Sequence, residues 1–381
     1  MHILTLNCGS SSIKSAVIDV AERRRLADVR MEQVDPADFA ATVAQVLKKL
    51  QGGGSTSVDA VAHRIVHGGE RFLRATRIDE AVLEEIEQLN DLAPLHNPPA
   101  LAAVRQARDA YPQTPHIAIF DTAYHATLPR HAREYALPQD LRLRLGIRRY
   151  GFHGISHAHV MHAVSAFLGA TSDKLRIISC HLGNGASATA IEHGRSVDTS
   201  MGMTPLEGLV MGTRAGDLDP GIVLHALHSG ALDAAKLDAL LNKKSGLAGL
   251  AGTNDMRGIE RRASAGDEEC ILALAIYAYR VRKYIGAYAA VMGGVDAIAF
   301  TGGVGENSAR IREACLQRLE FLGAELDERR NRDARPDAAT GCCEISRSGS
   351  RTRVLVVRAD EELAMAVEAA PLLGATATSS S

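Results

Sequence analysis

No stretch of the 381 residues carries an apolar run of the ~18 that a membrane span needs. The N-terminus, Met-His-Ile-Leu-Thr-Leu-Asn-Cys-Gly, has no basic segment followed by a long apolar one, so a secretory leader is not expected. Cysteine is sparse. Six thiols, at 8, 180, 270, 315, 342 and 343, form no Cys-x-x-Cys pair, which excludes a disulfide scaffold and favours a reducing, cytoplasmic setting. Adjacent Cys342 and Cys343 are poorly placed to bond to each other. Charge of one sign is also missing. With 43 Lys+Arg against 45 Asp+Glu the net charge is −2, which argues against a general nucleic-acid or polybasic membrane partner. Of the 43 basic residues only eight are lysine, so an arginine needs a loop context before it counts as chemistry. Finally, no Gly-x-x-x-x-Gly-Lys-Ser/Thr occurs, which excludes a P-loop enzyme.

What is present is globular. Hydrophobic residues make up 46% and charged ones 23%, and the length suits two domains at roughly 100–200 residues each. His2–Leu6 reads as a strand, Asn7–Ser12 as a polar turn and Ile13–Val20 as a second strand. Helices are expected over Pro36–Leu50, Asp79–Leu92 with Asp79 as cap, and Pro99–Ala110. Gln51–Ser57 reads as a flexible link, and strands are expected at Val58–Val66 and His116–Phe120, the latter ending at Asp121. Further on come a helix at Ser156–Leu168, a buried strand at Arg176–Cys180, a hairpin over Ser187–Ile191 and Ser196–Asp198, and a long ordered loop at Thr199–Gly221. Glu268–Met292 reads as a buried helix or an oligomer face. Ala297–Phe300 is a strand feeding the Gly-rich segment Thr301–Asn307, and an amphipathic helix follows to about Phe321. Arg353–Val357 and Asp360–Ala370 close the chain as strand and helix, before a disordered tail at Ala375–Ser381.

Ile3–Ser12 and Ile177–Ala186 share one plan: apolar strand, polar residue, x-Gly, small residues, strand. Setting Asn7-x-Gly9 against His181-x-Gly183 superposes two hairpins, as in a duplicated unit. Three Gly-rich loops (Asn7–Ser12, His181–Ser187 and Gly302–Asn307) each sit at a strand end, where backbone N–H groups can approach phosphate oxygens. Gly183-x-Gly185-x-x-Ala188 and Gly303-x-Gly305-x-x-Ser308 also fit a dinucleotide fingerprint. An NAD-dependent dehydrogenase, with Glu325 as ribose ligand, is therefore the alternative. His153 and His157 have the spacing of a zinc pair but no third ligand accompanies them.

The chain resembles the acetate/propionate kinase family. The matching segments are Asn7-Cys-Gly-Ser-Ser-Ser-Ile-Lys14, His63-Arg-Ile-Val-His-Gly-Gly-Glu70, Pro94-Leu-His-Asn-Pro98, Phe120-Asp-Thr-Ala-Tyr-His125 and Tyr150-Gly-Phe-His-Gly154. They continue with His181-Leu-Gly-Asn-Gly-Ala-Ser187, Asp198–Gly208, Gly212-Thr-Arg-Ala-Gly-Asp-Leu-Asp-Pro220, Asn254-Asp-Met-Arg257, Gly302-Gly-Val-Gly-Glu-Asn-Ser308 and Asp360-Glu-Glu-Leu363. The resemblance implies an α/β fold of duplicated actin/hexokinase-like (ribonuclease H-like) domains with an active-site cleft between them. Residues 1–124 with 363–381 would form the N-terminal domain and 125–362 the C-terminal one. It also implies a cytoplasmic homodimer that acts on acetate and ATP, with Mg²⁺ or Mn²⁺, to give acetyl phosphate and ADP.

Residue roles follow from the same resemblance. Arg64 grips the substrate carboxylate, while Arg214 and His153 stabilise the transferring phosphoryl group. Val66, Leu95, Phe152 and Pro205 line the pocket for the substrate methyl. Asn7 and Glu361 match the metal positions, where oxygen donors suit a hard cation. Lys14, His181, Leu182, Gly183, Asn184, Gly185, Asp255, Met256, Arg257, Gly303, Val304, Gly305, Glu306 and Asn307 match the nucleotide positions. Asp121 matches a catalytic aspartate described as a proton carrier. A carboxylate nucleophile has no proton to lose, so orienting an arginine or a metal-bound water suits Asp121 better. Ala215 and Ala359 stand where the family often has Ser and Thr, and residues 21–57 are shorter than the corresponding stretch.

Overall fold

A computed structural model of the chain describes residues 1–9, 12–32, 34, 38–52, 57–93 and 96–374. The chain divides into two compact units: Met1–Ala126 with Phe152–His159 and Asp360–Ser381, and Thr127–Gly151 with Val160–Ala359. The first boundary lies at Ala126 and not at 124, and Phe152–His159 with Asp360–Glu362 fall in the first unit, not the second.

The first unit is built on six strands: β1 (His2–Cys8), β2 (Ser12–Asp19), β3 (Arg24–Glu32), β4 (Ala60–Ile65), β5 (Thr76–Arg77) and β6 (His116–Phe120). Their order is β3-β2-β1-β4-β6-β5. β1, β4 and β6 run parallel, while β2, β3 and β5 are antiparallel to their neighbours. The central strands are apolar on both faces, as a covered parallel core requires. Leu4, Leu6, Ile13, Val17 and Val61 face the Phe39–Gly52 and Asn97–Ala110 helices. Ile3, Ala16, Ile18, Ala60, Ala62, Ile117 and Ile119 face the Glu361–Ala369 helix.

The second unit repeats the plan with β7 (Arg176–Leu182), β8 (Ala186–Glu192), β9 (Arg195–Thr199), β10 (Ala297–Thr301), β11 (Cys342–Glu344) and β12 (Arg353–Val357). Read from β9, the order β9-β8-β7-β10-β12-β11 matches the first sheet strand for strand. Parallel and antiparallel pairings match as well. Asn7 and His181 are each the sixth residue of a seven-residue strand, and each strand is followed by its antiparallel partner, β2 from Ser12 and β8 from Ala186. The duplicated hairpin is thus real at the level of topology.

Several expectations change. β3 was not anticipated, nor were the Pro220–His228, Ala234–Lys243, Gly246–Ala251 and Met256–Ser264 helices. The Gly302–Asn307 loop is a six-residue helix, and the helix expected after it to Phe321 ends at Leu316; Ser308 caps it, its Oγ accepting from Ile311 N at 3.0 Å. The Gly183 turn leads into strand β8, and the Gly303 segment is a six-residue helix that stops. Neither is the strand–turn–long helix unit of a dinucleotide site, which removes the structural basis for the dehydrogenase alternative. All six cysteines are free, and Cys342 and Cys343 are neighbours on β11, pointing to opposite faces. Among the described residues no three His, Cys, Asp or Glu gather as a metal cage, and no helix is long and apolar enough to cross a membrane.

Candidate active site

Period two places the charged residues of the first unit. Along β1, Ile3 lies on the face covered by the Glu361–Ala369 helix, and Asn7 follows four residues later with the same parity. Ala60 and Ala62 share that face, so Arg64 does too; Ile117 and Ile119 carry the same parity to Asp121, just past β6. Because β1, β4 and β6 are parallel, Asn7, Arg64 and Asp121 collect at one carboxyl edge, where α/β sheets bind ligands. Lys14 pairs with Asn7 across β1 and β2 and joins the same face.

The side chains form one network. Arg64 donates from Nε to Asp121 Oδ2 at 3.1 Å and, through Nη2, makes a second, shorter bond to the same oxygen. Its Nη1 donates to Asn7 Oδ1 at 3.1 Å. Asn7 Nδ2 donates to Glu361 Oε2 at 2.7 Å and to Glu362 Oε1 at 3.3 Å. Asp121 is only 2% exposed and Asn7 4%. Burial works against the Arg64 charge, but Asp121, Glu361 and Glu362 outweigh it and hold the guanidinium protonated. Burial raises the Asp121 carboxyl, and Arg64 pulls back. The pair is ionic: two donors on one oxygen leave a proton no favourable place.

The Phe152–Gly154 segment clamps Asp121 from its other side. The His153 backbone N–H points to the Asp121 carboxylate, and Gly154 N donates to the Asp121 carbonyl at 2.9 Å. His153 holds a left-handed φ of 58°, uncommon outside glycine. A Cβ on Gly154 would come within 2.2 Å of the Asp121 carbonyl oxygen, so no other residue fits there. Phe152 is 1% exposed and packs edge-on to His67 at 5.6 Å; Val66 is buried as well. Leu95 lies outside the described residues.

In the second unit the predicted nucleotide residues are mostly backbone. Gly183 N donates to Gly185 O at 2.9 Å, closing the β7–β8 turn. Asn184 lashes it down: its carbonyl accepts from Gly212 N at 2.8 Å and its Oδ1 from Asn254 Nδ2 at 3.0 Å. Asp255 caps the Met256–Ser264 helix through Arg257 N at 3.3 Å and Gly258 N at 3.2 Å. Gly302 (φ +79°) lets the next turn approach Leu182, whose carbonyl oxygen a Cβ would meet at 2.8 Å. A Cβ on Gly303 would meet nothing within 4 Å. Leu182, Met256 and Gly305 are buried, and the Glu306 carboxylate accepts from Ala359 N at 3.0 Å. Asn184, Asp255, Arg257, Gly303 and Asn307 are the exposed members of the set, with Val304 half-buried beside the last two.

Arg214 sits on the loop after β9. Its Nη1 donates to the Pro205 carbonyl at 3.2 Å and to Met211 Sδ at 3.6 Å. Burial lowers its pKa, and among the described residues no carboxylate is placed against it. Among the described residues this half-buried guanidinium is held by a carbonyl and a thioether, an environment that leaves its positive charge unneutralised.

Reading the sequence missed Arg25 and Glu362, which join this network. The only signal for Glu362 was its place in the matched Asp360-Glu-Glu-Leu363 segment. Asn7 and Glu361 offer oxygen donors of the kind Mg²⁺ takes, although too few to form a cage by themselves.

Known proteins bear on the chain as a whole. The model of the acetokinase family matches residues 26–367. The acetate kinase of Streptomyces coelicolor is 47% identical over 393 residues, 96% of this chain and 96% of that one. The crystal structure of Porphyromonas gingivalis acetate kinase superposes with a TM-score of 0.89 at 40% identity, covering 98% and 99% of the two chains. That of a propionate kinase from Francisella tularensis gives 0.87 at 36%, covering 96% and 98%. With family, full-length relatives and fold in agreement, the chain belongs to the acetokinase family.

Proposed function

We propose that the protein is an acetate kinase that transfers the γ-phosphoryl group of ATP to acetate, giving acetyl phosphate and ADP. The observation that carries this is the half-buried Arg64, held by the buried Asp121 at a carboxyl strand edge, in a chain of this family. Acetate is ionised at neutral pH, so it needs no base. The obstacle is repulsion between two anions, which placed positive charge removes. Arg64, aimed by Asp121 and Asn7, receives the carboxylate. One carboxylate oxygen forms a bond to the γ-phosphorus as the bond to the β,γ-bridging oxygen breaks, and ADP leaves with that electron pair. Arg214, which has no carboxylate of its own, takes the charge on the transferring phosphoryl, with His153 as its partner in this role. Lys14 and the turns at His181–Gly185, Asp255–Arg257 and Gly303–Asn307 serve ATP. Asn7 and Glu361 would hold Mg²⁺, or Mn²⁺ in its place, which when bound offsets charge on the ATP phosphates. Asp121 orients Arg64, in agreement with the hydrogen bonds it accepts.

The working form we propose is a cytoplasmic homodimer. Ile222 and Leu224 of the Pro220–His228 helix, which buries none of its residues, leave apolar surface for a second copy. Hydroxylamine trapping tests the activity. Protein, Mg-ATP and acetate should yield acetohydroxamate, and no hydroxamate above the no-enzyme control would refute the reading.

The similarity to a propionate kinase supports a second reading, in which propionate is the better acid. Val66, Leu95, Phe152 and Pro205 are proposed to bound the substrate's methyl group. One methylene is worth only ~1–3 kcal/mol in such a pocket, so a graded order of acetate, propionate, butyrate is expected. Val66→Ala should shift kcat/KM toward the longer acids and leave KM for ATP unchanged. A wild type that prefers propionate would favour the second reading.

A further inference from the structure

β3 is not regular. Ala27 pairs with Val17, but Arg25 pairs with Ile18, so Leu26 is an extra residue, a β-bulge. Ala27, Val29 and Met31 face the Phe39–Gly52 side. Unbroken alternation would send Arg25 the same way. The bulge turns it over to the face of Ile18, beneath the start of the Glu361–Ala369 helix. There Arg25 Nη2 donates to Asp360 Oδ1 at 2.5 Å and to Glu362 Oε2 at 2.8 Å. Asp360 Oδ1 also caps this helix, accepting from Leu363 N at 3.0 Å. Glu362, whose side chain is 6% exposed, has its other oxygen on Asn7 Nδ2.

We infer that Arg25 is a positioning residue that, through Glu362, fixes which way the Asn7 carboxamide points. With Nδ2 drawn by Glu361 and Glu362, Oδ1 must face Arg64. Three acids in a row open this helix, and Arg25 takes up two of them. Without it, the buried Glu362 would lose its anchor and draw the Asn7 carboxamide out of place, so that Oδ1 would no longer aim Arg64 at substrate. The inference rests on the roles proposed above for Asn7 and Arg64. It concerns a residue on a strand with no part in any matched motif.

A double-mutant cycle tests it. Arg25→Ala should lower kcat/KM for acetate about tenfold, as loss of an outer partner does at other sites. Arg25→Lys, whose one ammonium can serve both carboxylates, should recover most of it, while Arg25→Gln should not. In an Asn7→Ala background Arg25→Ala should cost less than about twofold further, because its route is already gone. Mn²⁺ affinity in the presence of ADP, read from the EPR signal of free ion, should weaken in Arg25→Ala and not weaken further in the double variant. Losses that multiply independently would show a general structural role and overturn the proposal. Should Arg25→Ala fold poorly by thermal melting, Arg25→Gln and Glu362→Gln run the same cycle. Asn7→Ala alone separates the failures. A loss there with none in Arg25→Ala sinks this proposal only. Wild-type behaviour in Asn7→Ala sinks the role of Asn7 and this proposal with it.

Discussion

The first unit sets its arginines against carboxylates, Arg64 on Asp121 and Arg25 on Asp360 and Glu362, whereas the second leaves Arg214 against a carbonyl and a sulfur. One strand order underlies both. The topology therefore supplies carboxyl edges and turns, and the residues placed on them decide the chemistry. A paired arginine is aimed and charged before substrate arrives. An arginine without an acid keeps its charge for an incoming anion, at the cost of burying it unpaired.

Removing each arginine gives the sharpest contrast. Both Arg64→Ala and Arg214→Ala should lower kcat/KM by on the order of 10²-fold or more. Their stabilities should diverge. Arg64→Ala strands the buried Asp121 and should cost about 3–5 kcal/mol in denaturant unfolding, less at low pH, where Asp121 can protonate. Arg214→Ala removes a cation that burial disfavours, so its Tm should hold or rise. Equal destabilisation in the two variants would break the comparison.

A second difference appears with pH. Glu368, on the helix that carries Glu361, has its carboxyl pushed up to about 7 by burial, with Asp121 adding to the effect. The folded protein then holds a proton that the unfolded chain, with an ordinary carboxyl near 4.5, has released. This stabilising contribution is full below about pH 4.5 and is lost as pH climbs to about 7. Glu368→Gln should therefore raise stability by about 1–3 kcal/mol at pH 8 and leave it unchanged near pH 4. An equal gain at both values would contradict the assignment.

The smallest effects separate packing from binding in the second unit. Gly302→Ala forces a Cβ against the Leu182 carbonyl at positive φ and should lower Tm by several degrees. Gly303→Ala enters open space and should leave Tm within about a degree, while KM for ATP rises. A Tm loss for Gly303→Ala as large as for Gly302→Ala would remove the distinction.

Much of this was legible in the chain. His116–Phe120 and Arg353–Val357 are apolar runs bounded by turns, and they became strands with those limits. The repeat of Asn7-x-Gly9 in His181-x-Gly183 foretold two equivalent hairpins because strand and turn chemistry are local. β3 was hidden for two reasons. Its outer face is exposed and charged, and the bulge at Leu26 breaks the alternation that marks a strand. Pro220–His228 has Ile222, Val223, Leu224, Ala226 and Leu227 spread around the helix, so no helical period of apolar and polar residues announces it. The pairing of Arg25 with Glu362 joins positions 337 apart, and in a chain so rich in arginine no local pattern singles it out. The division of labour between paired and unpaired arginines depends on burial, which spacing does not record.

An isotope experiment tests most directly the claim that the substrate's own carboxylate attacks phosphorus while the two arginines supply only charge. Acetate labelled with ¹⁸O in both carboxylate oxygens is incubated with Mg-ATP and protein, and the product is cleaved with hydroxylamine at its carbonyl carbon. The account predicts one ¹⁸O in each phosphate released by the wild type, and negligible phosphate from Arg64→Ala and Arg214→Ala. Phosphate without label from the wild type would place the new bond elsewhere and contradict it.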